Sequence, residues 1–217
     1  MSHIPLNSSQ FRQAADLLCE YGRLLYERDW SPATSSNYSM RLDKRHCALT
    51  SSGKHKGRLH PQDILVVNWQ GQSQTGGKPS AETRLHTQLY ERNHAIGAVL
   101  HTHSRNSVLL SHLTRSNTIR LTGWELQKAF HGQQGHEDTL VIPVFDNDQN
   151  IPRLAHEVEQ YMASEGEGHA YLIRGHGVYT WGKDLDECFR HLEALEHLFG
   201  YQLELHRLGK SSTLDNP

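Results

Sequence analysis

Short apolar runs of strand length alternate along this chain with segments of helical periodicity. That alternation restricts the fold more than any other feature. Ile64-Leu-Val-Val67, Ala98-Val-Leu100, Leu140-Val-Ile-Pro-Val144, Ala170-Tyr-Leu-Ile173 and Gly177-Val-Tyr-Thr-Trp181 are too short for buried helices and are bounded by Gly, Pro or polar residues. Amphipathic segments lie between them. Strands and helices that interleave in this way specify an α/β domain, in which helices cover a sheet. The 217 residues suffice for one such domain with one sizeable core.

The periodicity predicts a helix over residues 9–28, capped by Asn7 or Ser8, with Leu17, Leu18, Tyr21, Leu24 and Leu25 on one face. Two short strands are expected near 38–42 and 47–51, turning at Asp43-Lys44. Ser80 is placed as the cap of a helix over 81–93. A strand over 98–103 leads into a helix over 105–113, and a further helix is expected over 123–131. Pro143 suggests that its strand is an edge or carries a bulge. Helices over 152–164 and 185–208 complete the pattern. The last is capped by Asp184 and turns Cys188, Leu192, Leu195, Leu198 and Phe199 inward. Residues 1–209 read as one domain, and 210–217 as a polar tail.

Twenty-two Lys and Arg stand against 24 Asp and Glu, a formal net charge of -2. That balance supplies no general attraction to nucleic acid or to an anionic membrane. No run approaches the ~20 apolar residues of a membrane span, and the N-terminus lacks an apolar signal segment. Cys19, Cys47 and Cys188 are far apart and odd in number. They fit buried thiols in a reducing compartment, and the expected location is the cytoplasm.

Seventeen histidines are too many for any single site. Spacing selects among them. His101 and His103 follow the apolar run at Ala98, and residues two apart on a strand share a face. Both imidazoles can therefore grip one ion. A catalytic zinc site takes three protein ligands and keeps a further position open. His176, between Gly175 and Gly177 at a strand end, is the best third candidate. His86, His94, His112, His156, His191, His197 and His206 fall on predicted helices without a second ligand at i+4, and are expected to be solvated or packed. Thr50-Ser-Ser-Gly-Lys-His-Lys-Gly57 offers hydroxyls, backbone N–H groups and two lysines, as a phosphate requires, without the spacing of a nucleotide-binding P-loop. Ser35-Ser-Asn37 is a second polar loop, and Ser80 a donor at a helix N-terminus.

In chain order, Ser36-Asn37-Tyr-Ser-Met-Arg41, Thr50-Ser-Ser-Gly53, Lys78-Pro-Ser-Ala-Glu82-Thr-Arg-Leu-His86, His101-Thr-His103-Ser and Gly175-His176-Gly177 resemble the class II aldolase/epimerase (adducin-like) family of zinc-dependent sugar-phosphate enzymes. The resemblance runs from about residue 10 to 205. It implies a single-domain, three-layer αβα fold around a largely antiparallel or mixed sheet. It implies one Zn²⁺ per subunit on His101, His103 and His176. Phosphate would be held by Asn37, Ser52, Gly53 and Ser80, with Lys54 or Lys56 assisting. Ser36 stands where the family's aldolases usually have Gly. Glu82 matches the acid/base position of the aldolases, whereas Glu125, in Gly-Trp-Glu-Leu-Gln-Lys128, matches the glutamate of a dehydratase branch. Arg174-Gly-His-Gly-Val-Tyr-Thr-Trp-Gly182 points to the same branch. Glu125 is the favoured acid/base, and Trp124, Leu126 and Phe130 are expected to raise its pKa by desolvation. The implied activity is elimination of water from a ketose phosphate. An aldolase or 4-epimerase on another sugar phosphate, and a non-catalytic binding domain like the adducin head, are the alternatives. The implied assembly is a homotetramer with active sites near subunit interfaces, with a small-molecule sugar phosphate as the partner.

Overall fold

A computed structural model describes residues 8–210. Eight strands form one sheet in the order β3-β2-β1-β4-β8-β7-β6-β5. The strands are β1 (Asn37–Arg41), β2 (His46–Thr50), β3 (Ile64–Asn68), β4 (Ala98–Thr102), β5 (Thr118–Leu121), β6 (Leu140–Phe145), β7 (Ala170–Ile173) and β8 (Gly177–Gly182). Every neighbouring pair is antiparallel except β6 and β7. The helices are α1 (Ser9–Glu27), α2 (Thr83–Arg92), α3 (Arg105–Leu113), α4 (Ile151–Glu165) and α5 (Leu185–Arg207).

Alternation along the central strands builds three layers. Ala98 and Leu100 of β4 pack with Leu18 and Leu25 of α1 and with Leu192 and Leu195 of α5. Val99, between them, faces the other way, onto Leu85 and Leu89 of α2 and Leu154 and Val158 of α4. Both faces of the sheet are covered, so its strands are almost wholly buried. The αβα arrangement and the mixed, mostly antiparallel sheet are those expected. All three cysteines are free and buried.

The helix ends follow side-chain chemistry. Ser8, Ser104, Asn150 and Asp184 each accept a backbone N–H of the first turn of their helix. The helix expected from Ala81 begins later, at Thr83. Ser80 instead closes a turn in front of it: its hydroxyl accepts the Glu82 N–H at 3.2 Å and its carbonyl the Thr83 N–H at 3.1 Å. The helix expected over 123–131 is a short 3-10 helix, Glu125–Ala129. Strand β5 carries no signal that sequence reading used. Pro143 does not mark an edge, because β6 lies between β5 and β7, and the β5–β6 register runs through it without a bulge. Val144 donates its N–H to Asn117 on the β5 side, so the missing N–H of Pro143 faces the β7 side, where pairing begins only at Val144. Residues 211–217 of the expected tail, and Asn7, lie outside the described residues. None of the described helices is long and apolar enough to cross a membrane.

Candidate active site

Five segments end at one pole of the sheet. Asn37, which opens β1, pairs with His101 near the end of β4, and Thr102 pairs with Val178 near the start of β8. The loop after β2 reaches the same place: Ser51 bridges to Pro79, and Ser52 donates its N–H to Lys78 at 2.9 Å. The N-terminus of α2 completes the group.

His101, His103 and His176 meet there. One ring nitrogen from each lies within 4.8 Å of the others. His101 is fully buried, and its Nδ1–H donates to the Val178 carbonyl at 3.0 Å. That bond fixes the tautomer and leaves the Nε2 lone pair facing His103 Nε2, 2.8 Å away. Tyr179 stacks on the His101 ring at 4.0 Å. His176 rides the tip of the β7–β8 hairpin, where its N–H bonds Ile173 at 3.0 Å and Gly175 takes φ +64°. Gly177 is required by a close approach: a Cβ there would lie 2.1 Å from the Thr102 carbonyl oxygen. Burial holds the His101 pKa well below its ordinary value, and burial with His176 alongside lowers His103 to about 4. Neutral imidazoles with free lone pairs are the form that binds metal.

Glu82 sits at the N-cap of α2 without capping it. Its carboxylate turns to the histidines, with Oε1 3.0 Å from His176 Nε2 and Oε2 3.4 Å from His101 Nε2. Asn37 Nδ2 and the Tyr179 hydroxyl donate to Oε2 at 2.7 and 3.0 Å. Burial alone would raise this carboxyl, but hydrogen bonding with His176 and Asn37 outweighs it and lowers the pKa.

Beside the histidines lies a cavity of about 200 Å³ lined by Asn37, Ser52, Gly53, Lys56, Ser80, Glu82 and His103, among others. Five of the six residues expected to hold phosphate therefore line one cavity, and the sixth does not. Lys54 turns away to pair with Asp63 at 2.8 Å. Lys56 is buried, with Nζ donating to the carbonyl of Lys54 at 2.7 Å, and burial lowers its pKa to about 8 despite the nearby Glu82. Ser36 also lines the cavity, and its backbone is left-handed at φ +71°. Glycine takes that conformation freely, whereas a side chain there costs roughly 1–2 kcal/mol.

Glu125 is placed differently. Its side chain is 67% exposed, and Lys128 and, farther off, His136 are its ionic neighbours. Hydrogen bonding to Lys128 lowers its pKa, so within one chain the expected rise by desolvation does not occur. Phe130 is buried in the core, and Leu126 is itself exposed. Sequence reading missed Tyr179, and it left His86 merely packed or solvated. His86 is fully buried and bonds Asn37.

The model of the class II aldolase and adducin N-terminal domain matches residues 16–203. The chain belongs to this family. Among its relatives, the methylthioribulose-1-phosphate dehydratase of Marinobacter nauticus is 51% identical, over 92% of this chain and 97% of the relative. The enzyme of the same name from Alcanivorax borkumensis is 52% identical over 96% of this chain and 99% of the relative. Among solved class II aldolase structures, L-fuculose-1-phosphate aldolase from Thermus thermophilus superposes with a TM-score of 0.72 at 26% identity, covering 92% of this chain and 98% of that one. A sugar-phosphate aldolase from Thermotoga maritima shares the fold, with a TM-score of 0.66 at 21% identity and coverage of 93% and 98%.

Proposed function

We propose that this chain is a metal-dependent dehydratase that converts 5-methylthioribulose 1-phosphate to 2,3-diketo-5-methylthiopentyl 1-phosphate, a step of methionine salvage. The observation that carries the reading is the near-full-length identity of about half to dehydratases of that name. The converging histidines and the adjoining polar cavity are consistent with it.

His101, His103 and His176 would hold the metal. The donor set fits a divalent ion of the zinc type: three imidazoles, one with its tautomer fixed, and a carboxylate at hand to balance charge. Bound there, zinc would act as a Lewis acid toward the substrate's carbonyl and stabilise charge developing on its oxygen. Asn37, Ser52, Gly53 and Ser80 would bind the phosphate, with the Lys56 ammonium adding charge, so that binding energy orients the reacting carbons. Net reaction removes the proton on carbon 3 and the hydroxyl on carbon 4; the resulting enol takes up a proton at carbon 4 and becomes the diketone.

Glu125 is assigned the proton transfers on its resemblance to the dehydratase glutamate. Beside it Leu126 is exposed, as is Tyr201, whose ring lies 4.9 Å from that of Trp124. We place this face at or near a subunit interface of a cytoplasmic homotetramer, where a neighbour would supply the desolvation that a single chain lacks. Glu82 would hold His101, His176 and Asn37 in place, and it is the alternative base. The test is turnover of 5-methylthioribulose 1-phosphate by zinc-loaded protein, read as diketone phosphate. Absence of product, with cleavage or epimerisation of another ketose phosphate in its place, would overturn the proposal in favour of an aldolase or epimerase.

A further inference from the structure

His86 lies one helical turn beyond Glu82, on α2, and reaches neither the histidine cluster nor the cavity lining. It is nevertheless fully buried, and both its ring nitrogens are bonded. Nδ1 is 2.8 Å from the Ser39 hydroxyl, and Nε2 makes a short contact with Asn37 Oδ1. Ser39 is in turn 2.8 Å from the Tyr90 hydroxyl. At the other end, Asn37 Nδ2 reaches Glu82 Oε2 at 2.7 Å and Ser80 Oγ at 3.3 Å.

Donor and acceptor counting leaves one arrangement for this row. A carboxylate only accepts, so Asn37 must present its amino group to Glu82. The amide oxygen then points at His86, which must donate from Nε2. Nδ1 is left as an acceptor and takes the Ser39 proton. The Ser39 oxygen then accepts from Tyr90. Each link determines the next, from a tyrosine in the core to the carboxylate beside the candidate metal ligands.

We propose that His86 is a positioning residue: it locks the Asn37 carboxamide with its amino end toward Glu82 and the anion cavity, through the row Tyr90–Ser39–His86–Asn37–Glu82. Without this lock the amide can turn over, and its oxygen would then face the carboxylate and the incoming anion. Both juxtapositions are repulsive. Burial keeps the His86 imidazole neutral, with its pKa lowered to about 3, so the row is not rearranged by ordinary changes of pH. The inference rests on the proposed function only in taking phosphate as the ligand of two readings, and none of the three needs turnover.

The experiment has three readings. In wild-type protein, long-range ¹H–¹⁵N NMR of the His86 ring is expected to show Nε2 protonated and Nδ1 bare from about pH 5.5 to about pH 8. A ring protonated at Nδ1, or one that titrates in that range, overturns the proposal. Second, His86→Leu is expected to weaken inorganic phosphate binding by roughly 10–100-fold, the equivalent of one hydrogen bond to a charged group. His86→Gln, whose amide can donate as Nε2–H does, should recover most of the loss. Third, the effects on phosphate binding of His86→Leu and Asn37→Ala are expected to be strongly non-additive, because the histidine acts through the asparagine. Full additivity overturns the proposal. If His86→Leu does not fold, Tyr90→Phe breaks the row at its far end. It is expected to shift the Ser39 and His86 NMR signals while the protein stays folded, and unchanged signals count against the row. A protein that passes these readings but does not dehydrate the thio-sugar leaves His86 in its role and removes the proposed substrate.

Discussion

Replacing Glu196 with Gln should stabilise this protein, and by an amount that depends on pH. Glu196 lies on α5, where its Oε1 accepts the Ser104 hydroxyl at 2.5 Å while Oε2 is buried with no hydrogen-bond partner. Only 3% of the residue is exposed. Burial raises its pKa from 4.5 to about 7, and the bond from Ser104 offsets only part of that. The folded state therefore favours the neutral acid. Because the folded pKa is the higher one, the favourable contribution is complete below pH 4.5, is lost as pH rises toward 7, and is gone above that. A shift of this size corresponds to a ceiling of about 3.5 kcal/mol, at ~1.4 kcal/mol per unit. Gln keeps the acceptor for Ser104 and carries no charge, but it leaves an amide N–H in the orphan position. That reduces the net gain to roughly 1–2 kcal/mol. Urea unfolding of both proteins at about pH 5 and about pH 8.5 measures it. The variant should gain little at the lower pH and show its full advantage at the higher. A difference that is the same at both pH values, or that shrinks as pH rises, would refute the reasoning and mean that the carboxylate is solvated or paired.

Gly177→Ala places a methyl 2.1 Å from the Thr102 carbonyl oxygen, so β4 and β8 must separate where His101 and His176 face each other. Overpacking of this kind costs roughly 1–3 kcal/mol, and zinc retention after dialysis should fall with it. His101→Ala should lose the metal and all turnover, as read by metal analysis and diketone formation. Glu125→Gln should abolish turnover while zinc stays bound; unchanged turnover would move the proton transfers to Glu82. Lys56 loses its charge as pH rises through about 8, so inorganic phosphate should bind more weakly above that pH in the wild type. In Lys56→Met the affinity should be lower below that pH, approach the wild type above it, and lack the step.

Much of this architecture is legible in the sequence because local rules agree with the tertiary result. Period-two and period-3.6 patterns located most strands and all five helices, and Asp184 caps α5 as its position suggests. The exceptions have physical causes. Strand β5 has four residues, with Arg120 exposed among buried neighbours, so its apolar signal is weak. Ser80 has the chemistry of a helix cap, but its turn precedes the helix because Glu82 is drawn to the histidines. The three histidines that converge were picked out by alternation along one strand and by the glycines around His176. His86 was not, because its role depends on residues 37 and 39, which only the fold brings to it. Lys54 and Lys56 share one short loop, and the fold separates them: Lys54 turns out to pair with Asp63, whereas Lys56 is buried against backbone carbonyls. Glu125 is expected, from its resemblance alone, at a dehydratase position, yet the solvation of its side chain is a property of surfaces, which motif matching does not describe.

The β7–β8 hairpin sets an order of assembly. His101 arrives on a strand that first meets β1, synthesised 64 residues earlier by the register Asn37↔His101. His176 arrives 75 residues later, on the turn between the last two strands. The three imidazoles can converge only after β8 has paired with β4, which requires α4 and β7 to have been made. Capture of an ion by these three rings would therefore come late in folding. A bound ion would tie the middle of the chain to its last hairpin, and its release rate would report on the opening of the strand pair at the centre of the sheet.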